Sequence, residues 1–172
     1  MYNHLLVTCH QKFDWKVLLT KPLRYLTQFF SGECHCAIYL NGFIYDSSFS
    51  GVRKTIFADW FRDYCNPKMT LKYYNLTVPL SENQIDKLEL YLKSEIGKKY
   101  DFLAAASSAV DNNYIKVKPK DDATFCSYFC SQAYEFLEIL KPKKNNTLDT
   151  PHEFVRRMKK QNLLQKPQKY VI

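Results

Sequence analysis

The dipeptide Asn41-Gly42 separates two β-rich runs, "ECHCAIYL" (33–40) and "FIYDSSF" (43–49). Asn-Gly is the strongest short-range signal for a two-residue hairpin turn, because both turn positions need positive φ. A turn of that length fixes the register. Leu40 is predicted opposite Phe43, Tyr39 opposite Ile44, Ile38 opposite Tyr45, Ala37 opposite Asp46 and His35 opposite Ser48. Side chains alternate between faces. His35, Ala37, Tyr39, Ile44, Asp46 and Ser48 therefore share one face, and Cys34 and Cys36 point to the other. Asp46 is diagonal to His35, about 5–8 Å away between Cβ atoms and within side-chain hydrogen-bond reach. A carboxylate placed so holds one imidazole nitrogen and leaves the other for a reacting group.

Around the hairpin the apolar spacing alternates between strand and helix. "NHLLVTC" (3–9) reads as a strand, and "WKVLLTKPLRYLTQFF" (15–30) has helical periodicity interrupted near Pro22. "VRKTIFADWFRDYC" (52–65) reads as a short strand and then a helix, and "MTLKYYNLTV" (69–78) as a strand. Residues 81–97 carry a complete set of helix signals: Ser81 as N-cap, Gln84 closing a capping box, and Gly97 as the C-terminal cap. "FLAAASSAV" (102–110) and 125–140 are further helices, separated by a polar loop. Thr150 caps a last helix with Pro151 in its first position. The tail ends in "KYVI", a candidate final strand. Strands and helices together, with a hairpin at the centre, predict an α+β fold in which an antiparallel sheet packs against helices.

Nothing in the 172 residues marks a boundary, and the length suits one domain with a sizeable core, so residues 1–172 are read as a single unit. No run approaches the ~20 apolar residues that span a bilayer. The start lacks the basic and apolar regions of a signal peptide, so a cytoplasmic or virion-associated protein is expected. Lys and Arg number 25 against 17 Asp and Glu, a net charge of +8, with basic runs at "KPKK" (141–144) and "RRMKK" (156–160). Such a surface is either simply solvated or attracts an anionic partner: nucleic acid, a cell-wall polymer or a lipid headgroup. Without a secretory signal the six cysteines read as thiols, not as a disulfide framework.

The chemistry concentrates in "ATFCSYFCSQAYEFL" (123–137). With Thr124 or Asp122 as cap, Cys126 falls in the first turn of a helix. Unpaired N–H groups and the positive end of the macrodipole stabilise a thiolate there. Cys130 lies one turn further in and gains little, so it reads as a small buried apolar residue. A thiol nucleophile needs a base. His4, His10 and His152 have no partner legible in the sequence; His35 has Asp46. The alternative is a metal site. Cys34 and Cys36 face away from His35, and a C-x-C within a strand is poor zinc-ligand spacing. Neither a metal nor a cofactor is expected.

In order, the strand "HCAIYLNG", a second strand ending in polar residues, "GKKYDF" after a helix, and "FCSYFCSQAY" at a helix start resemble the circularly permuted NlpC/P60 superfamily of papain-like enzymes. The likeness is closest to its YiiX/YebB-like branch, which is related to lecithin:retinol acyltransferase. It runs from about residue 3 to 160. The resemblance implies a permuted papain-like fold with Cys126 as nucleophile, His35 as base and Asp46 as the residue that orients it. Cys130 takes an apolar helix position, and Tyr100-Asp101 match the family's "YD". One departure is the pair of cysteines flanking His35, where the family usually has Ser or another small residue before the His. The implied function is a cysteine peptidase or amidase that cleaves an amide bond through a thioester, with peptidoglycan peptides as one substrate class. Two alternatives share the fold: a lipid acyltransferase or thioesterase, and a non-catalytic virion or binding protein.

Overall fold

Asn41 and Gly42 have φ of 49° and 89°, the left-handed pair that a two-residue hairpin demands. In the computed structural model, described over residues 4–11, 33–64, 69–109, 119–143 and 148–170, this hairpin forms the middle of a six-stranded sheet. Its strands are β1 (His4–Gln11), β2 (Glu33–Leu40), β3 (Phe43–Ser48), β4 (Gly51–Ile56), β5 (Met69–Tyr74) and β8 (Gln168–Tyr170). Their order is β4-β3-β2-β1-β5-β8, and every neighbouring pair is antiparallel. A separate parallel pair joins β6 (Lys99–Tyr100) to β7 (Ala123–Thr124). Five helices are described: α1 (Phe57–Tyr64), α2 (Glu82–Ser94), α3 (Phe102–Ala109), α4 (Cys126–Phe136) and α5 (Pro151–Lys160). The α+β architecture with an antiparallel sheet is as the sequence predicts.

The alternation of side chains gives the sheet two cores. Leu6, Cys36, Ile38, Leu40, Tyr45 and Tyr74 point to one face and pack beneath α2, α4 and α5, against Leu88, Phe129, Tyr134 and Phe154. Val7, Cys9, Ala37, Ile44 and Leu71 point to the other and meet Trp60 of α1. Burying a large apolar side chain of this kind stabilises by about 1.5–3 kcal/mol, so neither face can be turned to water without losing the fold. A one-residue slip of β2 would exchange the faces.

Several elements are shorter than the sequence predicts. The capping box of Ser81 and Gln84 forms, but α2 ends at Ser94 with Glu95 as its C-cap. Gly97, at φ 91°, lies two residues beyond. The helix at 126 ends at Phe136, four residues early, where Leu137 caps it and Glu138 turns left-handed at φ 57°. The strand from Met69 stops at Tyr74 and not at Val78. Thr150 caps α5 as predicted, in a capping box closed by Glu153. Residues 15–30 and the loop 110–118 lie outside the described residues.

Gly51 ties the hairpin to the second, small sheet. Its φ of 99° excludes most side chains, and a Cβ there would stand 2.4 Å from the carbonyl oxygen of Lys98. That carbonyl accepts from the Val52 N–H at 2.8 Å, and the Gly97 N–H donates back to the Val52 carbonyl at 2.9 Å. β6 then pairs with β7, which leads directly into α4.

Candidate active site

The β2–β3 ladder runs Leu40–Phe43, Tyr39–Ile44 and Ile38–Tyr45, the three pairs nearest the turn that the sequence predicts. Beyond them the strands are joined by side chains. His35 Nε2 donates to Asp46 Oδ2 at 3.0 Å. Asp46 has no exposed surface, so its charge must be met inside the protein. It is met three times. Trp60 Nε1 donates to Oδ2 at 3.1 Å, and Arg53 Nε donates to Oδ1 at 3.0 Å. Burial by itself would push this carboxyl up. The His35 hydrogen bond and charge, followed by those of Arg53, outweigh it and hold Asp46 below the ordinary range. The imidazole also stacks on the Trp60 indole, with ring centroids 6.4 Å apart and 26° between planes.

Arg53 reaches Asp46 because the two are directly opposed across the β3–β4 ladder. The sequence carries that signal: a turn at Phe49-Ser50 puts opposite charges on facing strand positions. Trp60 carries no such signal, since its place depends on how α1 folds back over the sheet.

A β-bulge sits beside His35. β1 pairs Cys9 with His35 and then His10 with Glu33, which leaves Cys34 as the extra residue of β2. This corrects the simple alternation that would send Cys34 and Cys36 to one face. Cys34 packs on the Trp60 side and donates its thiol to the Cys9 carbonyl at 3.2 Å. Cys36 points the opposite way, into the core beneath α4. Bulges re-aim the side chains next to them, and here that residue is His35.

α4 begins at Cys126, its first helical residue. The N-cap is Phe125, extended at φ −137° and ψ 164°, and no side chain caps the helix. Thr124 and Asp122 therefore do not serve as caps. Thr124 is instead held in β7, where its carbonyl accepts from the Asp101 N–H at 2.9 Å and from Ser47 Oγ at 3.2 Å. The second bond fastens the entry to α4 onto β3, one residue past Asp46. It brings Cys126 beside the His35–Asp46 pair.

Cys126 keeps 5% of its surface exposed and His35 keeps 8%. The Cys126 thiol lies well below an ordinary thiol. A hydrogen bond from the Cys36 thiol is the largest cause, opposed by burial and reinforced by the hydrogen bond and charge of His35. With Nε2 committed to Asp46, Nδ1 is the ring nitrogen left for a reacting group. The Cys36 thiol is pushed the other way, well up, first by burial and then by hydrogen bonds to Cys126 and Cys130.

The other predicted or considered residues lie elsewhere. Cys130 is fully buried and packs between α4 and the sheet. His4 meets the Tyr134 hydroxyl at 2.9 Å, and burial lowers its pKa to about 4. His152 Nδ1 lies 2.6 Å from Glu33 Oε2, while Lys72 reaches Oε1 of the same carboxylate at 3.3 Å. The His10 side chain and Cys65 are outside the described residues. Asp101 is buried and accepts from the Ala104 and Lys120 N–H groups, and Tyr100 packs on Phe49 and Phe102. Among the described residues no three His, Cys, Asp or Glu side chains are arranged to hold a metal ion. No described helix is long and apolar enough to cross a membrane. Of the basic runs, Arg157 is drawn inward, with its guanidinium on Glu135 and Asp149.

No family model matches the chain, and none of the curated proteins does. Among solved structures, the crystal structure of metalloprotein yiiX from Escherichia coli O157:H7 superposes on it with a TM-score of 0.56. That match has 16% sequence identity and covers 96% of this chain and 87% of the other. At this identity the likeness is one of fold.

Proposed function

We propose that the chain is a cysteine hydrolase of the peptidase or amidase class, built on a permuted NlpC/P60-like, papain-like fold. Cys126 is its nucleophile, His35 its base and Asp46 the residue that orients the base. The observation that carries this reading is the convergence of His35 on both a buried carboxylate and a helix-starting thiol. Asp46 fixes the proton on Nε2 and stabilises the imidazolium that forms when Nδ1 takes the thiol proton. The thiolate attacks the carbonyl carbon of the substrate. Negative charge then develops on the carbonyl oxygen near the first turn of α4. There the backbone N–H groups, with no capping side chain on them, are donors of the kind that stabilise an oxyanion. The imidazolium protonates the leaving amine, a thioester remains on Cys126, and water activated by His35 releases the acid and restores the thiol.

The structural neighbour is described as a metalloprotein, but the described residues here do not form a metal-holding set. A second reading, lipid acyl transfer or thioester hydrolysis at the same Cys126, draws on one observation. Phe49, Phe102 and Leu103 are 54%, 49% and 71% exposed, on elements tied to β7 just before the nucleophile.

The test is turnover of peptide amide substrates, and in parallel acyl–enzyme trapping with lipid esters, by wild type, Cys126→Ala and His35→Ala. Loss of amide turnover in both variants is expected. Full activity in both would overturn the assignment, and acylation by lipid esters alone would move the reading to acyl transfer.

A further inference from the structure

Lys72 of β5 and His152 of α5 meet on one carboxylate. Lys72 Nζ lies 3.3 Å from Glu33 Oε1, and His152 Nδ1 lies 2.6 Å from Oε2. Two residues further along β5, the Lys159 amine sits over the Tyr74 ring, 5.1 Å from its centroid. His152 and Lys159 are seven residues apart, about two helical turns. One flank of α5 therefore follows β5, and Arg156, one turn after His152, belongs to the same flank. On its other side β5 pairs with β8, where Lys169 stands directly opposite Lys72. Opposed residues project from one face of a sheet. That face is the one beneath α5, since Tyr74, of the same parity as Lys72, is in its core. β8 is the edge of the sheet.

Three segments remote in sequence thus place Lys72, Arg156, Lys159 and Lys169 on one face, and the last three are exposed. Among the described residues, none of those three forms an ion pair. Around α2 the pattern is different: Glu89 takes Lys93 at 2.9 Å and Glu95 takes Lys98 at 2.8 Å. The basic run at 156–160 is divided in the same sense. Arg157 turns inward to Glu135 and Asp149 on the far flank of α5, and Arg156 and Lys159 stay outside. Unmatched cations grouped on one face raise the local potential and attract a polyanion.

We propose that the face formed by α5, β5 and β8 is a docking surface for double-stranded nucleic acid, held through its phosphates. Two ranks of cations, one on α5 and one on β8, flank Lys72, and a duplex carries its phosphates outermost along both strands. A single strand binds largely by stacking its bases on exposed aromatic rings. Here the Tyr74 ring is 1% exposed and lies under Lys159, so it offers no surface to a base. A lipid surface takes up exposed apolar side chains beside the cations. The exposed large apolar residues, Phe49, Leu90, Phe102 and Leu103 among them, belong to other elements. The surface is independent of the chemistry at Cys126.

The experiment is fluorescence anisotropy of a labelled, mixed-sequence DNA duplex of about 20 base pairs with the full chain, from about 50 to 200 mM salt. Expected is binding whose logarithm falls linearly with that of the salt concentration, with a slope of about −3 to −4 for some four phosphates. In Lys159→Glu/Lys169→Glu the slope should shrink by about 2 and the affinity at low salt should fall about tenfold or more. Lys159→Gln/Lys169→Gln should weaken binding in the same direction and keeps the test available if the reversed charges disturb folding. Lys87→Glu/Lys99→Glu, which changes net charge equally at exposed lysines of α2 and β6, should bind much as wild type, and so should Cys126→Ala. The absence of duplex binding at low salt overturns the proposal, as does an equal loss in the Lys87/Lys99 variant, which would assign the effect to net charge alone. Tighter binding of the matching single strand, or binding to phosphatidylserine-containing vesicles without binding to the duplex, overturns the choice of partner.

Discussion

Trp60 donates its indole N–H to the same Asp46 oxygen that receives His35 Nε2, at 3.1 Å against 3.0 Å. One buried carboxylate oxygen thus anchors both the imidazole and the ring stacked on it. Trp60→Phe keeps most of the packing and deletes a hydrogen bond to a charge, worth about 1.5–3 kcal/mol. The expected result is a loss of stability of that order in urea unfolding and about a tenfold fall in turnover, since His35 keeps its carboxylate but the ring stacked on it loses its anchor to Asp46. Asp46→Asn removes the charge itself, and a fall of roughly 10²–10⁴-fold is expected, the range of lost acid–base assistance. A Trp60→Phe enzyme as impaired as Asp46→Asn would contradict this division of labour.

The Cys126 thiol lies below the ordinary range chiefly through Cys36 and then through His35. Iodoacetamide reacts with the thiolate, so its rate follows the thiolate fraction. Cys126 should stay reactive as pH falls below about 8.5, where an unperturbed thiol fades. In Cys36→Ala and in His35→Ala the midpoint of the rate against pH should move up, and Cys36→Ser, which retains a donor, should restore it in part. Unshifted midpoints in both alanine variants would show that neither neighbour tunes the thiol.

His4 gives a pH effect away from the site. Its imidazole is packed edge-on against Tyr134 at 5.6 Å, and burial lowers its pKa from 6.5 to about 4. The folded state therefore resists a proton that the unfolded chain accepts. Stability is present above pH 6.5 and falls as pH drops from 6.5 towards 4, by on the order of 2–3 kcal/mol for such a shift in a partly buried residue. In His4→Gln, which offers Tyr134 a hydrogen-bond partner but does not titrate, the fall across that window should be smaller. Urea midpoints of the two proteins from pH 7 to pH 4 measure it, and parallel curves would exclude His4 as the cause.

The hairpin was legible because its determinants are local. Asn41-Gly42 sets the turn, and alternation then puts His35 and Asp46 within one hydrogen bond of each other. The capping boxes at Ser81 and Thr150 are local as well. What the sequence did not disclose depends on tertiary placement. The bulge at Cys34 arises from pairing with β1, a strand more than twenty residues upstream, and it overrides the alternation that holds elsewhere in β2. Phe125 replaces Thr124 as the N-cap because β6 claims Thr124 for a second sheet. Trp60 reaches Asp46 only after α1 folds over the strand face. Alternation turns Cys36 away from His35, and that direction is what brings it to Cys126.

Gly51 is where the hairpin grips the segment that leads to the nucleophile, and two glycine substitutions separate its two constraints. Gly42 and Gly51 both have positive φ, 89° and 99°. Around Gly42 no atom lies within 4 Å of an added Cβ, whereas at Gly51 the Lys98 carbonyl oxygen lies at 2.4 Å. Gly42→Ala should therefore cost only the strain of the left-handed conformation, about 1–2 kcal/mol. Gly51→Ala adds a collision with backbone, and a total of about 3–4 kcal/mol is expected, at the upper end for single substitutions. Relief of that collision means moving Lys98 and with it β6, which pairs with β7 and so with the entry to α4. Gly51→Ala should then slow iodoacetamide labelling of Cys126 under conditions where the protein is still folded, and Gly42→Ala should not. Equal unfolding costs for the two variants, or unchanged labelling in Gly51→Ala, would mean that the β4–β6 contact does not position the thiol.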